Sequence, residues 1–448
     1  MHIGSKVEPL HYARAQMGLS LAFHIVFAAA GIALPVLLVA SDVLYRRTGD
    51  RDYLELSKRL AKGTAVLFAV GAVSGTVLSF ELGLLWPRFM DTFGEVVGLP
   101  FALEGYAFFT EAIFLGIYLY GRDRVSPGLH LAAGIAVALS GAASAFFVTL
   151  VNEIMNQPRG FVWEGGRVLD VHPIAAMFGA PWIEQVAHVL ISSYQSTAFA
   201  MAGIHAWALL RHGASGFHRK ALGLALGMAC VTALVQPFSG DRSAKAVARY
   251  QPTKLAALEA QFRTERGAPL HIGGLPDEES QTVPYAIAIP GGLSFLAFGS
   301  LDAEVKGLDA VPRDEWPPVA PTHISFQVMV GSGVLMALLA LLAILLALRR
   351  SGVPTPRWFL LVMVAASPLG VIAMEAGWFV TELGRQPWVV RGVMRTAEAV
   401  TPFPYLPVPF WIFTVVYLFL AAAVVLLLRS QVAATVPART REVAHARS

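Results

Sequence analysis

Nine separate stretches of this chain are each long and apolar enough to cross a bilayer as a helix, and that repetition limits the possible folds more than any other feature. A spanning helix needs roughly 20 predominantly apolar residues, because each adds about 1.5 Å against a hydrocarbon core about 30 Å thick. The candidates are residues 19–41, 65–85, 101–120, 129–151, 183–210, 221–238, 323–348, 359–379 and 410–428. Inside hydrocarbon a helix satisfies its backbone N–H and C=O groups within its own segment. The expected fold class is therefore all-α, a polytopic membrane protein with nine transmembrane helices. Composition agrees: 56% of residues are hydrophobic and 14% charged, where a soluble domain carries about a quarter charged. The basic excess would suggest nucleic acid in a soluble chain. Here it flanks the spans, so a lipid bilayer is expected and nucleic acid is not. Cys230 is the single cysteine, which excludes an intrachain disulfide or a cysteine metal cluster. The polar N-terminus leads into a run long enough to span, and reads as an uncleaved anchor.

Charge sets the expected orientation. The loops after the first, third, fifth and seventh spans, with the C-terminal tail, hold 18 Lys and Arg. The N-terminus and the loops after the second, fourth and eighth spans hold 8. The more basic set belongs in the cytoplasm. The N-terminus is then outside, the C-terminus inside, and the long hydrophilic insertion 239–321 outside. No internal repeat is visible. The chain divides into helices one to six (1–238), the outer loop (239–321), and helices seven to nine with the tail (322–448).

Polar residues on these helices converge at one depth. His24, Glu104, His188, Met329 and Glu375 come from five different spans and all fall near the outer ends. Each has a plain structural reading: a hydrogen-bonded core histidine, a packing methionine, a carboxylate bonded to Arg385 or to backbone. An ionisable group at membrane depth is nevertheless a functional hypothesis by default, and five in one layer suggest cofactors there. Imidazole with thioether suits a six-coordinate low-spin haem. A haem–copper site needs many more helical histidines: of the 12 in this chain, only His24, His188 and His205 lie clearly inside spans. His205 lies near the inner end of its span and reads as structural.

The chain resembles subunit I of the cytochrome bd-type quinol oxidases over nearly its whole length. The motifs are EAGWFVTELGRQPW at 375–388, RAQ at 14–16 with His24, LEGYAFFTE at 103–111 and VNEIMNQP at 151–158. The His188 region, VMV at 328–330 and PTKLAALE at 252–259 complete the set, in the family's order. The resemblance implies three haems. His188 and Met329 would hold a low-spin haem b. His24, Glu104 and Glu375 would serve a high-spin pair, a haem b and a haem d or third haem b. It further implies quinol oxidation at the outer face by Lys254 and Glu259, reduction of O2 to water, and a cytoplasmic proton route through Glu111 and Ser144. Without the family, the Lys254 helix is a short amphipathic element with a solvated charged face, and Ser144 is a packing residue. A second oxidase subunit, often a small single-span subunit, and a bacterial inner (cytoplasmic) membrane location are implied too. The insertion is of the family's short type.

Two positions depart from the pattern. Gln327 stands where long-loop members carry Arg, and FELGLLW at 80–86 replaces an FQFGTNW-like segment. Glu81 is therefore either a further outer carboxylate near a haem or a residue at the membrane boundary. An all-haem-b, cyanide-insensitive oxidase would use the same ligands. A proton-coupled transporter would also carry intramembrane carboxylates, but such folds commonly show inverted repeats.

Overall fold

The structure is a computed structural model and describes residues 4–213, 215–403 and 405–433. Its long helices are α1 (Gly4–Thr48), α2 (Arg51–Leu85), α3 (Pro87–Tyr120) and α4 (Pro127–Asn156). After the ribbon β1–β2 (Val162–Glu164, Arg167–Leu169) and the short α5 (Pro173–Met177) come α6 (Trp182–His212) and α7 (Gly216–Tyr250). The insertion holds α8 (Pro252–Leu258), β3 (Glu265–Arg266), β4 (Leu270–Ile272), β5 (Ile287–Ile289), α9 (Gly292–Phe298) and β6 (Glu304–Val305). Then follow α10 (Val319–Arg350), α11 (Arg357–Ala366), α12 (Leu369–Leu383), the ribbon β7–β8 (Trp388–Val390, Met394–Arg395), α13 (Thr396–Ala399) and α14 (Pro407–Ala433).

Local chemistry sets the helix ends. Asp50 caps α2 by accepting from the Asp52 N–H at 3.0 Å, and Ser126 and Ser215 cap α4 and α7, each supplying the oxygen that a first-turn donor lacks. Pro127 begins α4, where its missing N–H costs nothing. The helices outrun the apolar spans. α1 has 45 residues, about 68 Å at 1.5 Å per residue, so 19–41 is only its apolar middle. The segment 359–379 is not one helix: it breaks between α11 and α12 at Ser367 and Pro368, where proline removes a helical donor.

Eight helical segments among the described residues are long and apolar enough to cross a membrane, counting α11 and α12 together. α6 is not among them, because it carries Ser193, Gln195, Ser196 and Thr197 mid-helix. All four are buried, which turns this polar stripe into the bundle. Most of the basic tail, with Arg439, Arg441 and Arg447, lies outside the described residues.

Two helix groups pack side by side. In one, α1 lies along α2 and against α4, with α3 along α4; in the other, α6 pairs with α7, and α10 with α12. α6 bridges them through α1 and α4, and α14 leans on α1 and α2. The break between α11 and α12 sits directly on α6. A Cβ at Gly203 would strike Ser367, and one at Gly370 would strike the Ser196 backbone. Small residues permit such close helix contact in a membrane, where packing rather than hydrophobicity drives association.

The insertion forms its own small core, with Leu255, Leu258, Ala268, Leu293 and Val305 in one cluster and Phe262, Leu308 and Val319 in another. It is clasped to α10. The buried His323 sets Nδ1 2.7 Å from the Leu258 carbonyl and Nε2 3.0 Å from the Gly273 carbonyl. Gln327 donates to the His271 carbonyl at 2.9 Å and accepts from the Gly273 N–H at 3.1 Å.

Gly370→Ala should destabilise the purified protein by about 1–3 kcal/mol, the usual cost of overpacking. Gly63→Ala on α2, where an added Cβ meets nothing within 4 Å, should be neutral or stabilising by up to about 1 kcal/mol. Thermal unfolding of the two variants in detergent, measured side by side, checks the contrast.

Candidate functional site

His24 projects from α1 toward α2, where its Nδ1 lies 2.9 Å from Ser74 Oγ. Ser74 gives its own hydroxyl proton to backbone carbonyls of its helix, at 2.9 Å from Val70 and 3.1 Å from Gly71. A serine has one proton to give. His24 Nδ1 must therefore be the donor, which leaves the Nε2 lone pair free to ligate. This is the way a ligating histidine is usually oriented from behind. Gly75 leaves room for the ring: a Cβ there would stand 3.1 Å from His24 Cε1.

On α3, Glu104 accepts a hydrogen bond from Ser144 of α4 at 3.0 Å. Glu111 is buried two turns further along α3, against Gly141, where an added Cβ would lie 3.4 Å from Oε2. Because α3 and α4 are antiparallel neighbours, the order along the pair is Glu111, Gly141, Ser144, Glu104. Ser144 thus sits between the two carboxylates rather than beyond Glu111.

His188 of α6 faces α7. Gln236 Nε2 lies over its ring, 3.3 Å from Nδ1 and 3.4 Å from Nε2, and Ser239 Oγ is 3.3 Å from Nδ1. Met329 of α10 meets α12 at Gly377, where a Cβ would approach Sδ to 2.9 Å.

Glu375 has both carboxylate oxygens buried without a hydrogen-bond partner. Neither Arg385 nor backbone takes it. Arg385 donates instead to Glu382 Oε2 at 2.6 Å, and Asn152 Nδ2 donates to Glu382 Oε1 at 2.9 Å. Arg385 is itself buried, with Nε and NH1 unpartnered. Unsatisfied charged groups away from water are expensive. The oxygens of Glu375, the lone pair of His24 and the spare donors of Arg385 fit an iron tetrapyrrole, which offers a metal and carboxylate side chains.

Helix register brings several of these residues to one level. Asn152 on α4 meets Glu382 on α12. Stepping back eight and seven residues, about 12 and 10 Å, brings Ser144, with Glu104, to about the level of Glu375. Trp378 lies beside Gly18, with 3.9 Å between its ring and an added Cβ, which puts Glu375 within about 5 Å of the level of His24.

Glu81 lies near the C-terminal end of α2 and is turned into the bundle. It is 2% exposed and accepts from Gln16 at 3.0 Å and Ser20 at 2.9 Å, while Tyr417 of α14 donates to Ser20 at 2.9 Å. His205 lies away from these groups, 3.1 Å from His218 through their Nδ1 atoms.

In the insertion, Lys254 and Glu259 are each 5% exposed, so the solvated-face reading of α8 fails. The Lys254 stem rests on the 384–388 turn: a Cβ at Gly384 would lie 2.8 Å from its Cγ. Burial, and then the Arg385 guanidinium beside it, pushes the Lys254 ammonium down to about 7. Burial alone pushes the Glu259 carboxyl up to about 8, and its Oε2 has no partner.

Sequence reasoning passed over Glu382, Asn152 and Asn156. Glu382 follows Glu375 by seven residues, almost two full turns, and precedes Arg385 by three. Asn152 and Asn156 stand at i and i+4 within the VNEIMNQP motif. Those spacings were the available signal.

These shifts tie folding to pH. Between about pH 4.5 and 8 the folded chain holds the Glu259 proton that the unfolded chain has released, so stability falls as pH rises. Between about 7 and 10.5 the unfolded chain alone holds the Lys254 proton, so stability rises. Each slope is at most about 1.4 kcal/mol per pH unit. Glu259→Gln should flatten the first limb and Lys254→Met the second, in unfolding curves compared with the unsubstituted protein.

The comparisons with known proteins agree with one another. Residues 12–436 match the family described as Cytochrome bd terminal oxidase subunit I. A Bacillus subtilis (strain 168) chain, provisionally named as a cytochrome bd menaquinol oxidase subunit I, is 40% identical over 94% of this chain and 96% of its own length. Another from that organism, cytochrome bd ubiquinol oxidase subunit 1, is 32% identical over 88% and 87%. The solved structure of bd oxidase from Geobacillus thermodenitrificans superposes with a TM-score of 0.91 at 39% identity, covering 96% of this chain and 100% of that one.

Proposed function

Because the chain belongs to the cytochrome bd terminal oxidase subunit I family, we propose that it is the haem-bearing subunit of a quinol oxidase that reduces O2 to water. The observation that carries this reading is the burial of Lys254 against the 384–388 turn, at the end of the helix that bears the unpartnered Glu375. A quinol-type acid–base pair and a metal-type donor thereby share one end of the molecule.

His188 and Met329 would hold a low-spin haem b. His24, through its free Nε2, with Glu104 and Glu375, would serve a high-spin pair, a haem b with a haem d or a third haem b. When bound, haem supplies one-electron transfer and an open iron position for O2.

The remaining steps belong to side chains of this chain. Lys254, about half deprotonated at pH 7, takes a proton from a quinol hydroxyl at Nζ. Glu259, protonated below about pH 8, donates a hydrogen bond to the other quinol oxygen. Glu111, Ser144 and Glu104 form the proton route along α3 and α4, of which the Ser144–Glu104 hydrogen bond is one link. With α6 as the ninth span, the basic loops are cytoplasmic and the 239–321 loop is outside. Protons then leave on the outer side and are drawn from the inner side, so charge crosses the membrane without a pump. The apolar side chains Trp411, Val415, Leu418 and Phe419 on α14 are exposed in the isolated chain. They would face lipid or the second subunit, with which many members also carry a small single-span subunit.

The reduced-minus-oxidised spectrum of the purified complex, with pyridine haemochromogen analysis, tests the reading. A far-red chlorin band beside b-type bands identifies the haem d oxidase. Bands of b type alone identify the all-haem-b variant with the same residues, and a protein without haem bands would sink the proposal. Quinol oxidation should rise with pH through about 7 as Lys254 loses its proton, and fall above about 8 as Glu259 loses its own. Lys254→Met should remove the acidic limb, and Glu259→Gln the alkaline one. Glu111→Gln should slow turnover by about 10²-fold, the scale of a lost proton-transfer group, with the haem bands retained.

A further inference from the structure

A proton taken up by Lys254 needs a way out, and one buried carboxylate is placed to provide it. Lys254 is 5% exposed, so its ammonium cannot hand the proton straight to bulk water. Its hydrogen-bond partner, Asn156 Oδ1 at 2.5 Å, is an amide oxygen and does not ionise. Two carboxylates, Glu382 and Glu153, favour the protonated lysine, while the guanidinium groups of Arg385 and Arg391 oppose it. The arginines cannot accept a proton. Glu382 stands on α12, seven residues beyond Glu375, so a proton left there would remain among the haem-type donors. Glu153 stands on α4, three residues before Asn156, and leads to a different surface.

Glu153 is 1% exposed, and its Oε2 has no partner among the described residues. Residues three apart on a helix carry Cβ atoms about 5–6 Å from each other. The open oxygen is thereby about one water from the Lys254 Nζ that Asn156 holds. The other oxygen, Oε1, accepts from Arg159 NH2 at 3.3 Å. Arg159 carries the line outward, since its side chain is 22% exposed against 1% for Glu153. It is fixed there: NH1 donates to the Ala180 carbonyl at 2.6 Å and Nε to the Ala176 carbonyl at 3.3 Å. Gly179 leaves it room, because an added Cβ would strike the guanidinium.

We propose that Glu153 is the proton acceptor for Lys254 in quinol oxidation and passes the proton to the outer side beside Arg159. The inference rests on the quinol-site reading of Lys254 and deepens it by naming the exit. A quinol that becomes a quinone gives up two electrons, to the low-spin haem, and two protons. The relay carries the proton of the hydroxyl at Lys254. That O–H bond breaks as an N–H bond forms on the neutral amine. The proton then leaves Nζ for Glu153 Oε2, which restores the amine and makes a carboxylic acid. The acid gives the proton to outer water, and the nearby Arg159 charge favours the return of the carboxylate.

The test uses the intact oxidase complex with two donors: a soluble quinol, and reduced tetramethyl-p-phenylenediamine, which gives an electron and releases no proton. Glu153→Gln should slow quinol-driven O2 consumption by about 10²-fold, the scale of a lost proton-transfer group. It should enlarge the solvent deuterium isotope effect on that rate and leave the haem bands and the phenylenediamine rate in place. Losing the carboxylate also removes an attraction on the Lys254 ammonium, so the acidic limb should move below about 7. Arg159→Met breaks the same ion pair but keeps the carboxylate, and should retain far more quinol oxidation than Glu153→Gln. If Glu153→Gln loses its haem, Glu153→Asp decides: a carboxylate set back by one methylene should slow the quinol rate alone. Equal losses with both donors, or equal losses in Glu153→Gln and Arg159→Met, would make the pair structural and overturn the relay. If Lys254→Met stops quinol oxidation while Glu153→Gln leaves it intact, the relay alone fails. If Lys254→Met leaves quinol oxidation unchanged, the quinol-site reading fails first and takes the relay with it.

Discussion

A polar side chain withdrawn from water between apolar helices has to find a partner, and the organisation of this molecule follows from how that demand is met. Where the protein meets it alone, the result is structural. Asp42 takes Arg46 and Arg122, and His323 takes two loop carbonyls. At Glu375, and at Nε and NH1 of Arg385, buried polar atoms are left without a protein partner. The distinction cannot be drawn from residue type, because a glutamate in an apolar helix looks the same in both cases.

The loop end of the molecule shows the same rule acting on architecture. The insertion packs a small apolar core of its own, and polar contacts tie it to helix ends. His323 and Gln327 grip its backbone from α10, and Lys254 reaches through it to α4. Gln327 clarifies a departure from the family's pattern. Its amide both donates to and accepts from loop backbone, which arginine, a donor only, cannot do. In this chain the position serves the loop.

Close helix contact supplies the other half of the arrangement. Gly75, Gly141 and Gly377 stand opposite His24, Glu111 and Met329, each removing a Cβ where a side chain of the neighbouring helix needs the space. Gly384 does the same for Lys254. These glycines sit mid-helix or in a turn, and their helical conformation demands nothing special. Their reason is steric, and it exists only once a neighbouring helix is in place.

From the sequence alone, the helical membrane class, the approximate spans, the long hydrophilic insertion and the family motifs could be read, because hydropathy and short spacings are local properties. The EAGWFVTELGRQPW segment put candidate donors on α12, yet it left Arg385 free to pair with either of two carboxylates. Tertiary structure decided that it takes Glu382 and leaves Glu375 bare. It also decided that α8 buries its charges, that Ser144 stands between Glu104 and Glu111, and that Lys254 is fixed by Asn156. Each of these depends on distance between segments tens to hundreds of residues apart. Such distances are set by how helices pack, and no window along the chain contains them.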